Sequence, residues 1–337
     1  MARPPVVLDR ARATIMPAMR AATARLSPEL RRSSEYHLGW TDVDGRPVEG
    51  GGAGKHVRAA LALLSAAAVG ADESVAVPGA VAVELVHNFS LMHDDVIDVD
   101  RERRHRPTVW ATFGVGHAIT AGDALATLAM QVLLDEGTPA AVRGASVLAD
   151  ATSRLIAGET VDIVFETRED VSWDECVDMS NAKTGALLGC AASLGAVLAG
   201  CEGERVAHLN DYGLHLGLAF QAVDDILGIW GQTATTGKPV WSDLRQQKKT
   251  LPITAALARA DGHGGDLRRL LLASREDEDA AARAAELIEK CGGRDATERA
   301  AAQHFDAALL ALDAARPDPA AKSELLELAR FVVERET

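Results

Sequence analysis

His87-Asn88-Phe89-Ser90-Leu91-Met92-His93-Asp94-Asp95-Val96-Ile97-Asp98 ends a long apolar segment, residues 76–98, in carboxylates. The apolar spacing of that segment predicts a helix. On a helix Asp94 and Asp98 are one turn apart and share a face. Carboxylates are costly to bury without a partner. Two of them this close repel by a few kcal/mol at an effective dielectric of ~20. A shared cation would relieve that repulsion. Mg²⁺ fits, because it takes one or two carboxylates and completes its shell with phosphate oxygens and water. Alone, the spacing is a weak signal, since a solvated acidic helix end shows it too.

The flanking residues sharpen it. Arg103, Arg104 and Arg106 follow shortly, then Pro107-Thr108. Guanidinium forks match phosphate oxygens. Upstream, Gly54-Lys55-His56-Val57-Arg58 stands at a loop-to-helix junction, with Lys55 and Arg58 on one face of a helix N-terminus. The exposed N–H groups and dipole of such an end favour an anion. His87 precedes Asp94 by seven residues and so lies on about the same face; His93 reads as a packing or capping residue. About 130 residues after the first cluster comes a second, Asp224-Asp225, at the end of another apolar helix. Gln221 and Asp224 share a face, while Asp225 points about 100° away. Asp224 is therefore the expected metal ligand of that pair. Lys238, Asp243 and Lys248 follow, and Lys183-Thr184 lies on an apolar helix, where a buried lysine needs an anionic partner. A polyanion held through Mg²⁺ between two aspartate-bearing helices points to diphosphate chemistry.

The whole chain agrees. It has 337 residues, 47% hydrophobic, with only 4% aromatic, so a sizeable core of small aliphatic side chains is expected. That composition favours close-packed helices over sheets. The net charge of −14 argues against a nucleic-acid surface. Four cysteines, Cys176, Cys190, Cys201 and Cys291, show neither metal-ligand spacing nor a disulfide framework. Asp9, Arg10 and Arg12 interrupt the only early apolar run, so no signal segment is expected. No membrane-spanning stretch and a cytoplasmic location are the corresponding expectations.

Helical periodicity runs throughout. Helices are expected over Val6 to Leu26 and roughly over 55–70, 76–98, 115–135, 139–157, 173–200 and 203–230, with four or five shorter ones after about 245. No segment alternates as a strand should. The predicted fold class is all-α, in one domain spanning 1–337. Val115–Leu134 and Lys183–Ala199 are apolar on nearly all faces, which predicts burial in the bundle or in a homodimer interface.

In order along the chain, Gly54-Lys55, Arg58, His87, Asp94-Asp95, Asp98, Arg103-Arg104, Pro107-Thr108, Lys183-Thr184, Phe220-Gln221, Asp224-Asp225, Gly237-Lys238-Pro239, Asp243-Leu244, Lys248 and Thr250-Leu251-Pro252 resemble the motif blocks of the trans-isoprenyl diphosphate synthases. The resemblance implies the isoprenoid-synthase helical bundle around a central cavity, usually dimeric. It implies Mg²⁺ on Asp94, Asp98 and Asp224, binding an allylic diphosphate, with Asp95 among the catalytic residues. Arg103, Lys183 and Lys248 would contact that diphosphate, Lys238 nearby, and Thr184 and Gln221 would line the same substrate site. Lys55, Arg58, His87 and Arg104 would hold isopentenyl diphosphate. Several positions depart from the family pattern: Gly228 stands where many relatives carry a third Asp, His56 where Arg is common, His105 where Gly often follows the paired arginines, and Glu159 where Gln is frequent.

Two alternatives share these motifs. A class I terpene cyclase of the same fold ionises one substrate and needs no second diphosphate site. A non-catalytic regulatory subunit would lose metal-binding aspartates, and this chain keeps the first set. Product length is expected to depend on Phe89 and Ser90, about one turn, ~5.4 Å, before Asp94. A large residue beside a small one narrows a tunnel without closing it. That pairing resembles geranylgeranyl diphosphate synthases and implies twenty carbons, with farnesyl diphosphate, fifteen carbons, as the alternative.

Overall fold

The computed structural model describes residues 4–49, 54–231, 240–259 and 264–333. Its helices are α1 (Val6–Thr23), α2 (Pro28–His37), α3 (Val57–Ala68), α4 (Val77–Ile97), α5 (Val109–Phe113), α6 (Val115–Leu134), α7 (Pro139–Thr167), α8 (Trp173–Ser180), α9 (Ala186–Leu198) and α10 (Glu204–Trp230). They continue as α11 (Ser242–Arg245), α12 (Leu251–Arg259), α13 (Gly264–Ala273), α14 (Glu278–Lys290), α15 (Gly293–Ala314) and α16 (Pro319–Val333). A π turn, Asn181–Gly185, joins α8 to α9. Among the described residues the only paired strands are β1 (Glu102–Arg103) and β2 (Arg106–Pro107), a two-residue hairpin that sequence alternation did not signal.

The all-α expectation holds. α9 lies at the centre, packed by α3, α4, α7 and α10, and α15 covers the far side of α10. The core is mostly Ala, Leu and Val, and nearly every residue of α9 is buried. Side chains this small let helix axes approach closely, and their burial supplies the main driving force of the fold. A second apolar cluster, with Ile229, Leu244, Ile253, Leu267 and Ile288, joins the end of α10 to the last third of the chain. All four cysteines are free thiols.

Two expectations need correction. α7 runs ten residues past the expected end at 157, because Gly158 lies inside a helix instead of ending one. Two helices, Glu73–Ile97 and Val115–Leu134, are long and apolar enough to cross a membrane by length and composition, where none was expected. The first is packed inside the bundle over 72% of its most apolar window. The second, expected to be buried in the bundle or in a homodimer interface, packs mainly on α4 and leaves Val115, Ile119 and Leu134 exposed in the single chain.

Candidate active site

α4 and α10 deliver their aspartates to one cavity of about 500 Å³. Asp94, Asp98 and Asp224 line it, together with Lys55, Arg58, His87, Ser90, Arg103, Arg104, Lys183, Thr184, Gln221 and Lys248. The residues singled out by spacing over some 190 positions of chain therefore converge. Lys238 lies outside the described residues. Leu155, Leu188 and Phe220 add apolar wall, and Phe331 and Val332 of α16 reach the rim, where the Lys55 ammonium sits 4.8 Å from the Phe331 ring centre.

Asp225, expected to point elsewhere, and Asp95, expected to be catalytic, are both absent from the lining of this cavity. Asp95 is buried and accepts a 2.6 Å hydrogen bond from Arg103 Nε. Burial raises its pKa to about 6, against the pull of Arg103. Its place among the expected catalytic residues becomes an orienting one: it fixes Arg103. Asp225, pushed up to about 7 by burial, accepts from Gln221 Nε2 at 2.8 Å and from the Leu251 N–H at 3.0 Å. Thr184 Oγ1 donates to Gln221 Oε1 at 2.9 Å, so Thr184, Gln221 and Asp225 form one chain of bonds that ends at α12. Phe89 also turns away. Its ring packs edge-on against His93, 5.0 Å between centres, whereas Ser90 lines the cavity. The expectation that Phe89 narrows the tunnel is corrected accordingly. His93, whose Nε2 lies 3.0 Å from Ile119 O, is a packing residue between α4 and α6, as expected.

Cations and carboxylates are paired across the cavity. Lys183 Nζ lies 2.7 Å from Glu159 and 2.5 Å from Asp162, both on the unexpected extension of α7. Burial works against the ammonium charge, but Asp162, Glu159 and Asp94 together hold its pKa above the usual value. The contact requires Gly158: a Cβ there would stand 2.4 Å from Lys183 N. The π turn bulges Lys183 into the cavity, a common use of such turns at functional sites. Lys248 Nζ lies 3.1 Å from Asp98 Oδ2 and so ties the first acidic cluster to the segment that follows the second. Burial, then Glu159, raises the Asp94 carboxyl above the ordinary range. Asp162 carried no signal at the sequence level beyond its position one turn after Glu159.

The arginine pair rides on the hairpin. Arg104 and His105 are its two loop residues, with φ of 54° and 60°. A two-residue hairpin loop of this kind needs positive φ at both positions, which explains why glycine is favoured at the second. Thr108 Oγ1 and Trp110 Nε1 both donate to Asp100 O, at 2.9 and 2.8 Å, and pin the hairpin to the end of α4. Gly228 has a specific neighbour: a Cβ on it would lie 2.0 Å from Asp243 Oδ2. The carboxylate of Asp243 occupies the space where a side chain at 228 would begin.

Among the described residues no three His, Cys, Asp or Glu side chains converge to enclose a metal ion by themselves. The donor set still fits Mg²⁺ bound jointly with phosphate: hard oxygens from two helices, open on the cavity side and ringed by cations.

Comparisons with known proteins agree with this geometry. The polyprenyl synthetase family profile matches residues 50–288. A (2E,6E)-farnesyl diphosphate synthase of Mycobacterium tuberculosis is 47% identical over 98% of this chain and 93% of its own length. A geranylgeranyl diphosphate synthase of the same organism is 40% identical over 98% of this chain and 93% of its own length. A polyprenyl synthetase from Streptomyces coelicolor A3(2) superimposes with a TM-score of 0.91 at 48% identity, covering 97% of this chain and 98% of that one. With the acidic helices, the cationic cavity and near full-length relatives in agreement, this chain belongs to the polyprenyl synthetase family of trans-prenyltransferases.

Proposed function

We propose that this enzyme joins isopentenyl diphosphate to an allylic diphosphate and that its main product is farnesyl diphosphate. The observation that carries the elongation reading is the division of the cavity's lining. Two sets of groups line the one cavity: Asp94, Asp98, Lys183 and Lys248, which interact with one another, and Arg58, His87 and Arg104, which do the same, with Asp224 and Lys55 also on its wall. A cyclase would need only the first group. The fifteen-carbon product is favoured because Phe89 gives no support to a twenty-carbon tunnel and because the farnesyl synthase relative is the more similar of the two compared. Geranylgeranyl diphosphate is the second reading, supported by the small Ser90 on the cavity wall.

Asp94, Asp98 and Asp224 would hold Mg²⁺, which supplies positive charge to the departing pyrophosphate. Lys183, Lys248 and Arg103 aim further charge at the same oxygens as the allylic C–O bond breaks. Lys55, Arg58, His87 and Arg104 hold the second diphosphate so that its double bond faces the allylic cation. A carbon–carbon bond forms there, and the proton lost from isopentenyl C2 goes to the released pyrophosphate. The His87 pKa is well below its usual value, from burial and then Arg58. At neutral pH its ring is therefore a neutral hydrogen-bonding group. Leu155, Leu188 and Phe220 keep water from the cation. We propose further that the chain is one domain and pairs with a second copy through the exposed apolar faces of α6 and α7.

The test is incubation of the purified protein with labelled isopentenyl diphosphate, Mg²⁺ and allylic primers, followed by chromatography of the products. We expect Mg²⁺-dependent elongation that stops mainly at fifteen carbons. Asp224→Ala should lower kcat by on the order of 10²-fold or more, a loss of several kcal/mol. Full turnover in excess chelator would overturn the mechanism, and a single-substrate cyclisation would overturn the elongation reading.

A further inference from the structure

One buried carboxylate lines the cavity alongside Lys55, Arg58, His87 and Arg104. Glu84 lies on α4, ten residues before Asp94, and is 4% exposed. Its Oε2 pairs with His56 Nδ1 at 3.1 Å, and its Oε1 accepts from the Ala59 N–H at 3.2 Å. Ala59 is the third residue of α3. His56 occupies the capping position of α3 and makes no capping bond of its own. Glu84 thus caps α3 from a neighbouring helix, satisfying an N–H that the sequence pattern had left for substrate. Burial would raise the Glu84 pKa, but His56, Arg58 and the Ala59 N–H outweigh it and keep the carboxyl below the ordinary range.

The charged groups that act on this carboxylate come from two places in the fold. α3 and its preceding loop bring His56 and Arg58, and the hairpin brings Arg104. Burial lowers the Arg58 pKa to about 10, and Glu84 opposes that shift. Burial and then Arg103 lower the Arg104 pKa, with Glu84 and Asp95 opposing. His56 itself has φ 51°, a left-handed conformation that residues with side chains seldom adopt. The bond to Glu84 holds it there. The ring is nine-tenths buried at the cavity wall, and its Nε2 has no hydrogen-bond partner among the described residues.

We propose that Glu84 and His56 are a positioning pair for isopentenyl diphosphate. They tie the first turn of α3 to α4 and so set Lys55 and Arg58 at a fixed distance from His87 and Arg104. The pair rests on the prenyltransferase reading for the identity of the ligand. Neither residue pairs with the aspartates or lysines of the allylic set, so loss of the pair should weaken one substrate and spare the other.

The test compares wild type with Glu84→Gln, His56→Leu and His56→Arg. Each substrate is varied in turn, and isopentenyl diphosphate alone is titrated calorimetrically into each protein. Glu84→Gln and His56→Leu should raise KM and Kd for isopentenyl diphosphate about tenfold or more, while kcat and the allylic KM move less than about threefold. His56→Arg, which keeps an N–H donor opposite Glu84, should recover most of the affinity. Equal losses for both substrates, or unchanged Kd in variants that melt with wild type, would overturn the proposal. If Glu84→Gln does not fold, His56→Leu decides, since an unchanged Kd there rejects the pair. Absence of elongation by wild type would reject the prenyltransferase reading, and the titration would still decide on the pair.

Discussion

Asp94, Asp98 and Asp224 were legible one residue at a time, because helix geometry alone puts them on shared faces. The same arithmetic turned Asp225 away from the cavity, where it bonds Gln221 and the Leu251 N–H. It would also have separated Phe89 from Ser90. Ser90 is one turn before Asp94 and shares its face, whereas Phe89 is about 100° further round and meets His93. Glu84 was not legible, because one Glu on an apolar helix gives no sign of which helix end it will cap. Ser90 is therefore the position at which product length should respond. Ser90→Phe puts a ring where the growing chain leaves the aspartates and should shift the products toward ten carbons. Each buried methylene is worth about 0.8 kcal/mol, so displacing one isoprene unit removes up to ~4 kcal/mol of burial. Chromatography of the dephosphorylated alcohols reads the shift; an unchanged distribution at full activity would place the stop elsewhere.

Whole helices were legible wherever apolar periodicity was long, and their ends were not. α7 shows why. Glycine usually marks a break, yet Gly158 sits in mid-helix because the backbone of Lys183 crosses there. No local pattern announces a crossing between segments 25 positions apart. The extension it permits carries Glu159 and Asp162, the partners of Lys183. Gly158→Ala would set a methyl group against main chain that has no rotamer to yield. We expect a loss of ~1–3 kcal/mol in stability, typical of overpacking. Because Lys183 moves with the π turn, kcat should also fall by about tenfold or more, as for a misplaced catalytic group. Calorimetry and steady-state kinetics measure the two effects; a variant with wild-type melting and turnover would show that the crossing is slack.

For the molecule as a whole, composition was enough to give the all-α class, and it could not say which apolar helices stay inside. α9 is central, whereas α6 and α7 expose Val115, Ile119, Ile156, Val161 and Val164. Exposed apolar groups gathered on neighbouring helices mark an association surface. A charge at the middle of such a surface must be desolvated if a partner covers it. Ile119→Asp should therefore shift a dimer toward monomer in sedimentation velocity while leaving the helical circular dichroism spectrum unchanged. A wild-type monomer, or a variant dimer of undiminished affinity, would reject this surface.

The ion pair between Lys248 and Asp98 has one more consequence. Lys183 is held in the same way by Glu159 and Asp162, so much of the acidic wall is already neutralised from within the chain. A divalent ion arriving alone must compete with tethered ammonium groups. A diphosphate arriving alone meets carboxylates beside the lysines it needs. Arriving together, each would remove what opposes the other: Asp94, Asp98 and Asp224 would hold the ion, which would free the lysines for the diphosphate. Their affinities are then linked, and by thermodynamic reciprocity the factor by which one strengthens the other is the same in both directions. The aspartate and lysine wall would then act as a coincidence detector, holding metal and allylic diphosphate together more tightly than either alone.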